Sequence, residues 1–67
     1  MQNEVIRFSK KLREVCLKKN MSQGGIARIL DVYRSYISGL ERGRINPSLL
    51  TVQKVAKALG VNAKELL

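Results

Sequence analysis

The feature that most narrows the fold is a pair of short helical patterns, at 22–30 and 33–42, with almost no chain between them. In the first, Ile26, Ala27, Ile29 and Leu30 make an apolar side. Ser22 is its natural N-cap, because a hydroxyl there accepts an otherwise unpaired amide of the first turn. In the second, Val32, Tyr36, Ile37 and Leu40 fall on one side and Arg34, Ser35, Ser38 and Arg42 on the other. Ala27 is small and stands where two such helices would cross closely. Asp31 sits in the turn, where a short polar side chain tolerates left-handed backbone. The spacing predicts that Val32, Ile37 and Leu40 tie the second helix to the first.

The remaining chain also reads as helix. Val5, Phe8, Leu12, Val15 and Cys16 form a stripe at helical spacing over about Glu4 to Lys19, and Asn20 follows as a left-handed stop. Arg7, Lys10, Lys11 and Lys18 lie off that stripe, as do Ile6 and Leu17. The helix at 33–42 ends at Gly43. In the connector "RINPS", Asn46 is a cap and Pro47 suits the first turn of a fourth helix. That helix carries Leu49, Val52, Val55, Ala56 and Leu59 on its stripe and stops at Gly60. Asn62, with Glu65 three residues on, reads as a capping box for a last short helix. Gly24 and Gly25 weaken the second helix, since glycine costs up to about 1 kcal/mol per site. They lack the spacing, lysine and preceding strand of a phosphate-cradling loop. The expectation is one all-α domain over 1–67, a compact bundle of five helices without strands.

Composition removes several functional classes. At 67 residues the chain suits a single domain of marginal stability. Its one cysteine forms no internal disulfide, and with no histidine and only 5 acidic residues no metal site is expected. No base stands ready for Cys16 or the serines, and no carboxylate pair appears, so an enzyme is not expected. No apolar run approaches the roughly 20 residues of a membrane span, and "MQNEVIRFSKK" lacks the apolar run of a signal peptide. A reducing, cytoplasmic setting is expected, with no cofactor and no small-molecule ligand. Cys16 reads as a small buried hydrophobe.

The charge is informative. There are 13 Lys and Arg against 5 Asp and Glu, a formal net charge of +8. It is spread along the chain: residues 1–20 carry six positive and two negative groups, 21–44 four and two, 45–67 three and one. A folded, evenly basic surface suits a polyanion such as nucleic acid. With the paired short helices, this gives a helix-turn-helix pattern, in which the second helix protrudes into a major groove about 12 Å wide and the first holds it from behind.

Several motifs fall in order over Phe8 to Leu67: "KKLREVCLKKNMSQ", "IA", "YISGLERG", "NPS" and "KALGV". With these the chain resembles the Cro/phage-repressor class of helix-turn-helix DNA-binding domains. "YISGLERG" also resembles small controller proteins of restriction–modification systems. The resemblance implies that Gln23, at the start of the second helix, meets a DNA phosphate, and that Tyr33, Arg34, Ser35, Ser38 and Gly39 face base edges or the groove wall. It also implies that Arg42 and Arg44 meet backbone phosphates. The residues fit these roles unequally. Arg34 can pair bidentately with guanine, a contact worth about 1–3 kcal/mol of discrimination. The serines are less selective, and Gly39 offers only close backbone approach. Gln23 gains from a helix N-terminus, and Arg42 and Arg44 bring charge without sequence information. Tyr36 belongs to the edge of the core, while Tyr33 is open between core and DNA.

The sequence departs from the family's pattern at three positions. Asp31 replaces a glycine. Tyr33 replaces a Ser or Thr cap, so the recognition helix is expected to start a residue differently. Cys16 replaces an arginine that would pair with Glu41, so Glu41 is expected to turn to Arg13 or another cation. Leu50, Leu66 and Leu67 are expected to form a small two-fold patch, giving a homodimer on a palindromic operator. The combined reading is a sequence-specific regulator of transcription acting on double-stranded DNA. A protein-interaction module, such as the antitoxin of a toxin–antitoxin pair, is the alternative.

Overall fold

Each α-helix of the chain ends the same way, and those endings set the fold. The computed structural model describes residues 3–67. It contains α1 (Asn3–Lys18), α2 (Gln23–Leu30), α3 (Arg34–Glu41) and α4 (Leu49–Leu59), then a terminal 3-10 turn (Ala63–Leu66). No strand occurs among the described residues. The helices are followed by Asn20 (φ 57°), Asp31 (φ 59°), Gly43 (φ 73°) and Gly60 (φ 72°), all left-handed. After each, the next amide reaches back into the helix: Met21 to Cys16 (2.8 Å), Val32 to Ala27 (3.0 Å), Arg44 to Gly39 (2.9 Å) and Val61 to Ala56 (3.0 Å). This is the Schellman arrangement, which pairs terminal carbonyls and turns the chain sharply.

Helix starts are less uniform. Ser22 Oγ accepts from the Gly25 amide at 3.0 Å, and Ser48 Oγ from the Thr51 amide at 3.1 Å. The cap of α4 is therefore Ser48, not Asn46, and Pro47 precedes the helix instead of opening it. Tyr33 is the N-cap of α3 without a side-chain bond, as its phenol requires, so α3 begins at Arg34. The expected fifth helix is only the 3-10 turn. There the Glu65 amide bonds to the Asn62 main-chain carbonyl at 3.0 Å, and Asn62 makes no side-chain cap bond.

One core joins all elements. It contains Phe8, Leu12, Val15 and Cys16 of α1, Ile26 and Ala27 of α2, Ile37 and Leu40 of α3, Val52, Val55, Ala56 and Leu59 of α4, and Leu66. Leu12, Ile26, Ile37, Leu40, Val55 and Leu66 have no exposed surface. Four apolar-side residues miss it, one being Val32, exposed in the turn, so that only Ile37 and Leu40 of the expected three tie α3 inward. Leu49 is exposed because it opens α4, where the stripe runs past its cover. Ile29 is exposed because successive helical residues turn about 100°, which rotates it off the side shared by Ile26, Ala27 and Leu30. Val5 is half-buried near the start of α1. Ile6 and Leu17, off the stripe, are both exposed.

Leu66 corrects the expected dimer patch. The terminal turn lies against α1 and α4 and folds this side chain into the chain's own core, so it is not available to a second copy. Arg7 Nη1 donates to the Leu67 carbonyl at 3.2 Å and holds the turn there from the α1 side. Leu66→Ala is expected to cost about 2–5 kcal/mol of stability. Urea denaturation at low micromolar protein checks this. An unchanged midpoint would return Leu66 to an association role.

Candidate nucleic-acid interface

α3 is divided by its packing. Ile37 and Leu40 are fully buried, so the helix is fixed along that side. Tyr36 packs against the core edge, with its hydroxyl 3.3 Å from Thr51 Oγ1, which ties α3 to α4. The opposite side carries Arg34 and Ser35, both exposed, and Ser38, half-buried. None of these three side chains makes a hydrogen bond among the described residues, so their donors are free for a partner. Tyr33, 85% exposed at the turn, points away from the core. Arg42 and Arg44 are exposed just past the helix end. The structure thus brings Tyr33, Arg34, Ser35, Ser38, Arg42 and Arg44 together on and beside one short helix.

Gly39 has a different surrounding from the expected one. A Cβ added there would stand 2.6 Å from Ile45 Cδ1 and 3.0 Å from Cγ1. The space where its side chain would be is filled by the α3–α4 connector, so the glycine is explained by the seating of Ile45. At Gly25 the fit is tight but less so, since its Cβ would meet Met21 Sδ at 3.2 Å and Ser22 Oγ at 3.3 Å. Nothing in the structure explains Gly24.

Gln23 opens α2 and is half-buried. Its Nε2 donates to Glu41 Oε1 at 3.0 Å. Glu41 was expected to turn to Arg13 or another cation, and among the described residues its carboxylate does not. The Arg13 guanidinium donates to the Glu41 main-chain carbonyl, while the carboxylate takes the Gln23 amide. Sequence reasoning gave Gln23 a DNA role and missed this internal partner. The missing arginine at Cys16 was the available signal, because it leaves the carboxylate to other donors.

Cys16 is a buried free thiol beside this pair. Burial pushes it up to about 12, and Glu41 adds to the shift by its charge and by accepting the S–H. An open groove of about 690 Å³ also lies beside the turn, between Leu30, Val32, Tyr33 and Tyr36 on one side and Thr51 and Lys54 on the other. Its size falls in the range of small-molecule sites, roughly 300–1,000 Å³. Among the described residues no helix is long and apolar enough to cross a membrane.

The model of the helix-turn-helix family matches residues 10–66. Control protein C.BamHI of Bacillus amyloliquefaciens is 46% identical, over 100% of this chain and 85% of its own. Control protein C.MunI of a Mycoplasma species is 36% identical, over 98% of this chain and 90% of its own. Among solved structures, the restriction-modification controller protein C.AhdI of Aeromonas hydrophila superposes with a TM-score of 0.89 at 37% identity, over 97% of this chain and 98% of that one.

The state of Cys16 gives a direct check. Only thiolate reacts, and the buried thiol releases its proton far less readily than the roughly 8.5 of a free one. At pH 8, alkylation of native Cys16 is expected to be slower than in the urea-unfolded chain by roughly two to three orders of magnitude. The folded thiol ionises later than the unfolded one, so the unfolded chain gives up that proton first. Stability is then full below the unfolded value and falls as pH rises toward 12. Equal alkylation rates in both states would contradict the burial of Cys16.

Proposed function

The chain belongs to the helix-turn-helix family, and we infer that it is a sequence-specific DNA-binding regulator of transcription. One observation carries the proposed mode of binding: α3 is clamped by fully buried Ile37 and Leu40 while Arg34 and Ser35 stand exposed with unused donors. In this reading α3 enters the major groove. Arg34 reads a guanine edge, with Ser35 and Ser38 beside it. Tyr33 lies against the groove wall. Arg42 and Arg44 contact phosphates, and so does Gln23 through the amide hydrogen not given to Glu41. Gly39 serves by admitting Ile45, which lets the connector leave α3 tightly.

The similar proteins named as control or controller proteins support a place beside a restriction–modification system. They are named for regulation and not for catalysis, and they give no support to the antitoxin alternative. The single domain acts as a homodimer on a palindrome, placing two copies of α3 about 34 Å apart. Leu50 and Leu67, 59% and 53% exposed, are the remaining apolar residues for the contact.

Binding titrations over a salt series test the reading. The duplexes are DNA from directly upstream of the gene and a scrambled competitor. Arg34→Ala is expected to lower the preference for the upstream duplex by about 5- to 150-fold, the equivalent of 1–3 kcal/mol. Arg42→Ala and Arg44→Ala are expected to weaken both duplexes alike and to reduce the salt slope by about 1 each. An unchanged preference in Arg34→Ala removes Arg34 as a reader. For assembly, sedimentation at tens of micromolar is expected to show a dimer that Leu50→Glu converts to monomer with weaker DNA binding. A wild-type monomer that binds the operator one to one would overturn the dimer.

A further inference from the structure

We propose that Glu41 is a positioning residue for DNA binding, holding the Gln23 amide ready for a phosphate, an inference that rests on Gln23 meeting DNA as above. The two residues lie on different elements. Gln23 opens α2, and Glu41 closes α3. Their bond, Nε2 to Oε1 at 3.0 Å, therefore bridges the two ends of the motif that must approach DNA together.

The surroundings make this bond the main restraint on the glutamine. Among the described residues the carboxylate's hydrogen bond is to a neutral group, the Gln23 amide, and the neighbouring buried thiol of Cys16 brings no positive charge. The neighbouring guanidinium, Arg13, is spent on the Glu41 main-chain carbonyl, which also fixes the backbone from which the carboxylate extends. A glutamine has several freely rotating bonds, and ordering such a side chain at a binding interface is unfavourable. Here one amide hydrogen is already committed inside the protein. The second hydrogen and the amide oxygen are left, and the direction of the second hydrogen is set by the plane of the bonded group. A phosphate arriving at the start of α2 then meets a donor that is already ordered, beside the free amides of the helix N-terminus.

Charge works against this arrangement, which makes the two contributions separable. The Glu41 carboxylate sits behind a residue that faces an anion, so its negative charge opposes the phosphate while its oxygen orders the donor. Removing the oxygen and removing only the charge therefore have opposite effects. Glu41→Ala loses both. Glu41→Gln keeps an acceptor oxygen for Nε2 and loses the charge.

The test uses the full chain and a duplex enriched by the wild-type protein from a random pool. Glu41→Ala is expected to weaken binding by about two- to tenfold, the cost of one unrestrained side chain. Glu41→Gln is expected to bind at least as tightly as wild type. In a Gln23→Ala background, Glu41→Ala is expected to bring no further loss, because nothing remains to position. The side-chain amide of Gln23 is followed by NMR relaxation in the free protein, where it should be as ordered as the rigid backbone in wild type and Glu41→Gln and mobile in Glu41→Ala.

An equal loss from Glu41→Ala with or without Gln23 would overturn the proposal and leave Glu41 a structural role. A Gln23 side chain as mobile in wild type as an exposed, unbonded glutamine would overturn it without any variant, even if Glu41→Ala failed to fold. Should the wild type enrich no duplex, the DNA-binding reading falls and this inference with it. Should it enrich one and show no coupling, only the inference falls.

Discussion

The orientation of α3 depends on the two hydrogen bonds around Asp31. Its own amide returns to the Arg28 carbonyl, and the next amide, of Val32, returns to Ala27. The chain therefore reverses within Asp31, Val32 and Tyr33, and α3 starts at once. Nothing longer would press Ile37 and Leu40 against Ile26 and the small Ala27 while leaving Arg34 and Ser35 outside. An aspartate costs little in that left-handed position where a β-branched residue would be strained. The turn thus decides which side of a short helix is core and which side is free. A helix as short as α3 would not hold alone in water, so its shape is owed to this packing.

Much of that was legible beforehand because helix stops are chemically distinctive. Asn20, Asp31, Gly43 and Gly60 are the residue types that adopt positive φ at low cost, and the structure places all four there. Starts were harder. In "NPS" both Asn46 and Ser48 have the right side chain to cap. The choice of Ser48 depends on where the connector leaves Gly39 and Ile45, which is a tertiary matter. At 62–65 the residue pattern of a capping box was present, but the last turn tightened to 3-10 and a main-chain carbonyl took the amide instead.

The site was legible in its exposed residues and less so in its packed ones. The exposure of Arg34, Ser35 and Arg42 follows from helical phase, whereas Arg44, beyond the helix, was singled out only by what the family resemblance implies. What surrounds Gly39 did not follow from phase, because a sequence does not say which neighbour occupies the space beside a glycine, and here it is Ile45. Leu66 is the same kind of miss. A terminal leucine pair suggests a sticky end, but whether each one faces inward depends on the turn that carries it. Leu66 is fully buried and Leu67 is half exposed, although they are adjacent. The Gln23–Glu41 bond spans 18 positions and depends on a neighbour, Cys16, that offers no positive charge. Such a contact appears only when the helices are in place.

The chemistry of the exposed face limits how it can discriminate between DNA sequences. Arg34 is the one side chain on α3 able to make a bidentate base contact, worth about 1–3 kcal/mol. Specific regulators separate operator from bulk DNA by about 4–10 kcal/mol. In the proposed homodimer, two copies on a two-fold site would double the Arg34 contribution to about 2–6 kcal/mol, which reaches only the lower part of that range. The serines accept and donate without strong preference, so the difference has to come from elsewhere. Sequence-dependent shape and deformability of the duplex can supply it, since bending a site costs energy that varies with the bases bent. A small basic domain with charge spread over its whole length suits that mode. Phosphate contacts on both flanks of α3, from Gln23 on one side and from Arg42 and Arg44 on the other, would register how closely a given duplex follows the protein surface. On the proposed reading, the order that Glu41 imposes on Gln23 then matters alongside the base-reading side chain. A donor fixed in space is sensitive to where the phosphate lies, whereas a mobile one would accept many positions.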